Sequence, residues 1–119
     1  MNEREFKERT RTLALRVIRL VDSLPKSVVA QTIGKQVLRS GTSIGANYRA
    51  ACRGKSKADV IAKLCIVEEE TDESIYWLEL LTEADVVPKE KLLSLIREME
   101  EILAMTVASI KTLRAGMRR

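Results

Sequence analysis

A chain of 119 residues carries 21 Lys and Arg against 17 Asp and Glu, a net charge of +4, with 45% hydrophobic and 32% charged residues. That length provides for one domain with a single core, spanning residues 1–119. Histidine is absent, which removes the commonest general base, most zinc sites and the Glu-x-x-His pattern of di-iron bundles, so the reading is non-enzymatic with no metal and no cofactor.

No apolar run approaches the roughly 18 residues of a membrane span, and no signal-peptide pattern opens the chain, so the expected address is cytoplasmic. Cys52 and Cys65 lack metal or redox spacing and read as reduced packing residues.

Four segments repeat apolar or small residues at alternating intervals of four and three, which keeps one face of each helix on a shared seam. The first helix, near 4–23, carries Phe6, Thr10, Leu13, Val17, Leu20 and Leu24, and Pro25 prevents its continuation. The second, near 28–54, carries Ala30, Ile33, Val37, Ser40, Ile44, Asn47 and Ala51. The third, near 57–84, opens on the capping-box form Ser56-Lys57-Ala58-Asp59 and carries Val60, Leu64, Val67, Thr71, Ser74, Leu78 and Leu81. The fourth, near 89–115, starts beside Pro88 and carries Leu92, Ile96, Met99, Leu103, Thr106, Ile110, Leu113 and Met117. Short connections make sequence neighbours antiparallel neighbours, which predicts an all-α, up-down-up-down four-helix bundle.

The glycine-rich stretch LRSGTSIGANYRAACRGKSK raises a phosphate-loop alternative. That motif needs a preceding strand and a Gly-Lys-Ser/Thr ending, and this sequence has neither. The seam runs through Ser40, Ile44 and Asn47 without losing phase, so the stretch is helical. Gly41 and Gly45, with Asn47, then mark close helix packing, by analogy with small-xxx-small contacts of membrane helices.

No acid occurs between Ser23 and Asp59, while Lys26, Lys35, Arg39, Arg49, Arg53, Lys55 and Lys57 are all basic. At 100° per residue, Lys35, Arg39, Arg49 and Arg53 fall within an arc of about 80°, opposite the seam. The third helix reverses the sign with Glu69, Asp72, Glu73, Glu79 and Glu83, a stripe for an oligomer or partner interface.

Antiparallel topology also gathers twelve cations at one pole. These are Arg4, Lys7, Arg9 and Arg11; Arg49, Arg53, Lys55 and Lys57; and Lys111, Arg114, Arg118 and Arg119. Against them stand Glu3, Glu5, Glu8 and Asp59, a balance of +8. Helix dipoles favour cations at helix C-termini, yet Arg4, Lys7, Arg9, Arg11 and Lys57 sit at helix starts. The excess points to a polyanionic partner. The nucleic-acid-binding set is Lys35, Arg39, Arg49, Arg53, Lys55, Lys57, Arg114 and Arg118. RNA is favoured over DNA, and four aromatic residues (Phe6, Tyr48, Tyr76 and Trp77) are too few for base stacking to be the main mode. The alternative is an interaction scaffold whose stripes join subunits or dock a protein. Leu15, Ile18, Leu38 and Leu93 lie off the seams, which argues for self-association.

The segment LRSGTSIGANYRAACRGKSKAD and the later KLCIVEEETDESIYWLELL resemble the four-helix-bundle family that includes proteins encoded in 23S rRNA intervening sequences. The same family includes the accessory variability determinant of diversity-generating retroelements. The similarity runs from about Phe6 to about Ile110, with Gly45 where many relatives have Pro and Phe6 where many have Trp. It implies a homopentameric barrel of bundles. In the retroelement branch it also implies binding to nucleic acid and to a reverse transcriptase. Carried onto this sequence, the basic positions of the family motif are Arg39, Arg49 and Arg53.

Overall fold

The computed structural model describes residues 2–117 as four helices: α1 Glu3–Asp22, α2 Val28–Cys52, α3 Lys57–Glu83 and α4 Lys89–Met117. Each of the first three starts where a side chain satisfies a free backbone N–H. Asn2 Oδ1 accepts from Glu5 N at 2.8 Å, Ser27 Oγ from Ala30 N at 3.1 Å, and Ser56 Oγ from Asp59 N at 3.1 Å. The return half of the expected capping box is displaced by one residue: Asp59 Oδ2 accepts from Lys55 N at 3.1 Å. The α3 helix ends in a Schellman arrangement, with Val86 N donating to Leu81 O at 2.9 Å and Asp85 N to Thr82 O at 3.0 Å. Asp85 holds the left-handed conformation this requires, at φ 58°.

Consecutive helices pack antiparallel in a rod 52 Å long and about 20 Å across, while α1 and α4 meet more sparsely to close the bundle. The core is a column of aliphatic side chains, with Leu13, Val17, Val37, Ile44, Val67, Leu78, Leu81, Met99 and Ile102 fully buried. Each large aliphatic chain so buried contributes roughly 1.5–3 kcal/mol. The buried hydroxyls of Thr10, Thr71 and Thr106 donate to the carbonyls of Phe6, Val67 and Ile102, one turn back in their own helices. Between α2 and α3, Ser74 Oγ donates to Ser40 Oγ at 2.7 Å, and Ser40 donates to Gln36 O. Among the described residues no buried side-chain polar atom lacks a partner.

Small residues bring α1 and α2 together. A Cβ on Gly41 would lie 2.9 Å from Val17 Cγ2, and one on Gly45 would lie 3.2 Å from Thr10 Oγ1. Asn47 is half-buried and its amide donates to Ser43 O of its own helix at 2.9 Å.

The seams of α3 and α4 differ from the sequence pattern, and Met117, expected on the α4 seam, is exposed. In α4, Leu95 and Ile102 are buried where the pattern put Ile96 and Leu103, which are half-buried beside them. In α3, Ile61 is buried and Val60 half-buried. Both helices carry adjacent apolar pairs, and the packing selects the member that points between its two neighbours. No described helix is long and apolar enough to cross a membrane.

Candidate nucleic-acid interface

The end of α2, the start of α3 and the last turns of α4 converge with the start of α1. Glu3, Ala51, Cys52, Val60, Leu64 and Leu113 line one cleft there, and Lys57 Nζ lies 3.3 Å from where a Cβ on Gly116 would be. This is the pole on which the sequence concentrates positive charge. Lys57 thereby approaches the C-terminal end of α4, where the helix dipole favours a cation.

The cations of the pole fall into two groups. Arg9 is drawn along the bundle to α4, where Nε donates to Glu98 Oε2 at 3.0 Å and a further nitrogen lies 3.6 Å from Glu101 Oε1. These carboxylates raise its pKa, led by the hydrogen bond to Glu98. Arg9 therefore staples α1 to α4. Arg4 and Lys7 make long, exposed pairs with Glu8 (3.9 Å) and Glu3 (4.0 Å), a geometry worth little in water. By contrast, Arg11, Arg49, Arg53, Lys55, Lys57 and Lys111 are exposed and form no ion pair among the described residues. Arg114 is exposed and, among the described residues, donates to Cys65 Sγ at 3.6 Å.

A groove of about 470 Å³ between α1 and α2 runs up to this region, lined by Lys7, Glu8, Arg11 and Arg49 over Thr10, Ala14, Thr42, Gly45 and Ala46. Its small floor residues are the ones that permit close helix approach. Three cations and one carboxylate thus line one shallow trough, which keeps a positive balance suited to a phosphate chain.

The four-residue stripe inferred on α2 divides. Arg49 and Arg53 belong to the pole, whereas Lys35 stands 18 residues from Arg53, roughly 27 Å along the helix at 1.5 Å per residue. Arg39 is turned toward α3, where it pairs with Glu70 Oε2 at 3.3 Å and with Glu73. Glu73 also accepts from Trp77 Nε1 at 3.2 Å, so Arg39 and Glu73 are engaged with each other, unlike the free stripes their sequence positions implied. Of the acidic stripe, Glu69, Asp72 and Glu79 are exposed without ion pairs among the described residues, next to the half-exposed Tyr76. Arg118 and Arg119 lie outside the described residues.

Sequence reasoning passed over the cleft itself, which holds about 590 Å³ and opens to solvent at the pole. Tyr48 stacks on Phe6 along its inner side, with ring centroids 4.5 Å apart and planes at 27°. Burial pushes the Tyr48 phenol well above its ordinary range, helped by a hydrogen bond with Cys52. Burial likewise raises the Cys52 thiol, with a hydrogen bond to Glu3 adding to it. Four helix ends supply these residues, and no local motif joins them.

The fold and charge distribution define an all-helical bundle with one cationic pole. The chain belongs to the 23S rRNA-intervening sequence protein family, whose model matches residues 2–108. A solved protein of unknown function from the S23 ribosomal protein family of Bacteroides thetaiotaomicron is 36% identical. The match covers 93% of this chain and 99% of that one, with a TM-score of 0.81. No curated protein matches. Neither the family description nor that of the solved relative states an enzymatic activity.

Proposed function

We propose that the protein is a non-enzymatic RNA-binding accessory protein that grips phosphates with Arg11, Arg49, Arg53, Lys55, Lys57, Lys111 and Arg114. One observation carries this reading: among the described residues these cations form no ion pair, while Arg9 and Arg39, equally basic in sequence, pair with carboxylates of neighbouring helices. Keeping like charges together unpaired costs stability through mutual repulsion, a cost that a bound polyanion would offset. The family description, which ties these proteins to an rRNA intervening sequence, favours RNA over DNA.

In this reading the protein acts as a homo-oligomer, because Leu15, Ile18, Leu38 and Leu93 are each more than a third exposed on the outer faces. A pentamer would repeat the pole as a ring. A scaffold reading is favoured by a different observation, the exposed acids of α3 beside Tyr76, which would suit a basic protein partner such as a reverse transcriptase.

Titration of a structured RNA against salt separates the two. Affinity should fall with a log–log slope of about −0.7 to −0.9 per phosphate contact. Replacing Arg49, Arg53 and Lys55 with Gln should weaken binding and flatten the slope across unrelated RNA sequences. Absence of binding to RNA or DNA at low salt refutes the RNA reading. Loss of assembly or of partner docking on reversing Glu69, Asp72 and Glu79 to Lys, with RNA affinity unchanged, supports the scaffold instead.

A further inference from the structure

The cleft at the basic pole has a composition that the phosphate-binding role does not use. Its volume, about 590 Å³, lies within the roughly 300–1,000 Å³ of small-ligand sites. Val60, Leu64, Leu113 and the Tyr48 ring give it an apolar wall, and Glu3, Ser109 and Thr112 bring a carboxylate and two hydroxyls to the same space. The flanking cations follow from the chain itself: Arg53 succeeds Cys52, Lys57 opens α3 one turn before Val60, and Lys111 and Arg114 bracket Thr112 and Leu113.

A nucleobase of a single strand has the complementary form, with a flat apolar face, a polar edge and a phosphate on either side. Unpaired RNA bases are splayed out and read in this way, by packing of the face and hydrogen bonds to the edge. We infer that the cleft receives one base of a single-stranded RNA whose neighbouring phosphates rest on Arg53, Lys55, Lys57, Lys111 and Arg114. This rests on the RNA-binding reading of the pole and adds to it a distinction between strands: a duplex keeps its bases stacked inside and offers only phosphates. Glu3 accepts hydrogen bonds and donates none when ionised. Glu3 can therefore accept from an N–H on the base edge, the amino group of adenine among them.

Cys52 lines the cleft and serves as its reporter. The wild-type protein is treated with iodoacetamide alone, with a short oligoadenylate, and with inorganic polyphosphate of matched length. Peptide mass mapping then follows Cys52 separately from Cys65. Both polyanions should bind, but only oligoadenylate should slow Cys52 alkylation, by roughly ten-fold, in keeping with the energy of placing one base on a protein surface.

The exposed Ala108 on the α4 wall supplies an independent check. Ala108→Trp should fill the cleft and weaken oligoadenylate binding while leaving polyphosphate binding unchanged. Oligoadenylate bound with Cys52 still fully reactive, or equal slowing by both polyanions, overturns the cleft and leaves the pole standing. Failure of oligoadenylate to bind even at low salt overturns the pole and the cleft with it.

Discussion

The α1–α2 contact allows a packing argument whose sign differs between two glycines four residues apart. Replacing either with Ala should improve helix propensity by roughly 1 kcal/mol. At Gly41 the new Cβ would sit 2.9 and 3.0 Å from the two methyls of Val17 and 3.3 Å from its Cβ. Val17 is fully buried and β-branched, so its methyls have no rotamer into which to retreat. Overpacking of this kind costs about 1–3 kcal/mol, so Gly41→Ala should be net destabilising by about 1 kcal/mol, up to about 2. At Gly45 the nearest atoms lie at 3.2 and 3.4 Å. A shift of a few tenths of an ångström relieves that contact, so Gly45→Ala should be neutral within about 0.5 kcal/mol.

Urea unfolding followed by helical circular dichroism, at one protein concentration, measures both variants. With a slope of about 1–3 kcal/mol per molar, Gly41→Ala should lower the midpoint by roughly 0.3–1 M. The decisive comparison is the double-mutant cycle with Val17→Ala. Once the two methyls are gone, adding the Gly41 methyl should become stabilising, because only the propensity gain remains. A midpoint at or above wild type for Gly41→Ala refutes the reasoning, and so does an undiminished loss in the Val17→Ala background.

The end of α3 offers a gain, since Asp85 holds φ 58° with an acid at the negative end of the helix dipole. Asp85→Gly should therefore raise stability by about 0.5–1 kcal/mol, read as a melting temperature a few degrees higher. Alkaline pH should act through Cys52 and Tyr48, whose ordinary values of 9.0 and 10.0 are both raised in the folded chain. The folded state then holds protons that the unfolded chain releases, so their contribution is complete below about pH 9 and declines above it. Urea midpoints on either side of that pH should show a shallower decline in Tyr48→Phe than in wild type, and an equally steep decline in both would remove Tyr48 from the effect.

The architecture was legible because each helix repeats its apolar residues over several turns and each gap carries its own stop or cap. What remained unread depends on which flank of a helix receives its neighbour. On a wheel of α2, Arg39 is equivalent to Arg49 and Arg53. Only the packing of α3 against the Ser40 flank brings Glu70 and Glu73 within its reach. In α4 the pairs Leu95–Ile96 and Ile102–Leu103 satisfy the periodicity equally well, and the sparse contact with α1 together with the dense one with α3 decides between them. The cleft could not be read at all. Glu3, Tyr48, Cys52, Val60 and Leu113 come from all four helices, so their proximity is a property of the assembled pole.

Helix α2 links packing to charge in a way neither explains alone. Gly41 and Gly45 weaken the helix by propensity, yet they draw α1 close enough for Lys7 and Arg11 to share one groove with Arg49. A larger residue at these positions would separate the helices and dilute the positive field along the groove. Glu8 relieves that field only in part, unlike the carboxylates that pair directly with Arg9 and Arg39. A separate row of exposed acids, Glu69, Asp72 and Glu79, lies on α3, on the face turned away from the core. The acids among these cations, Glu3, Glu8 and Asp59, offset only part of the charge, so the groove and pole keep a positive balance.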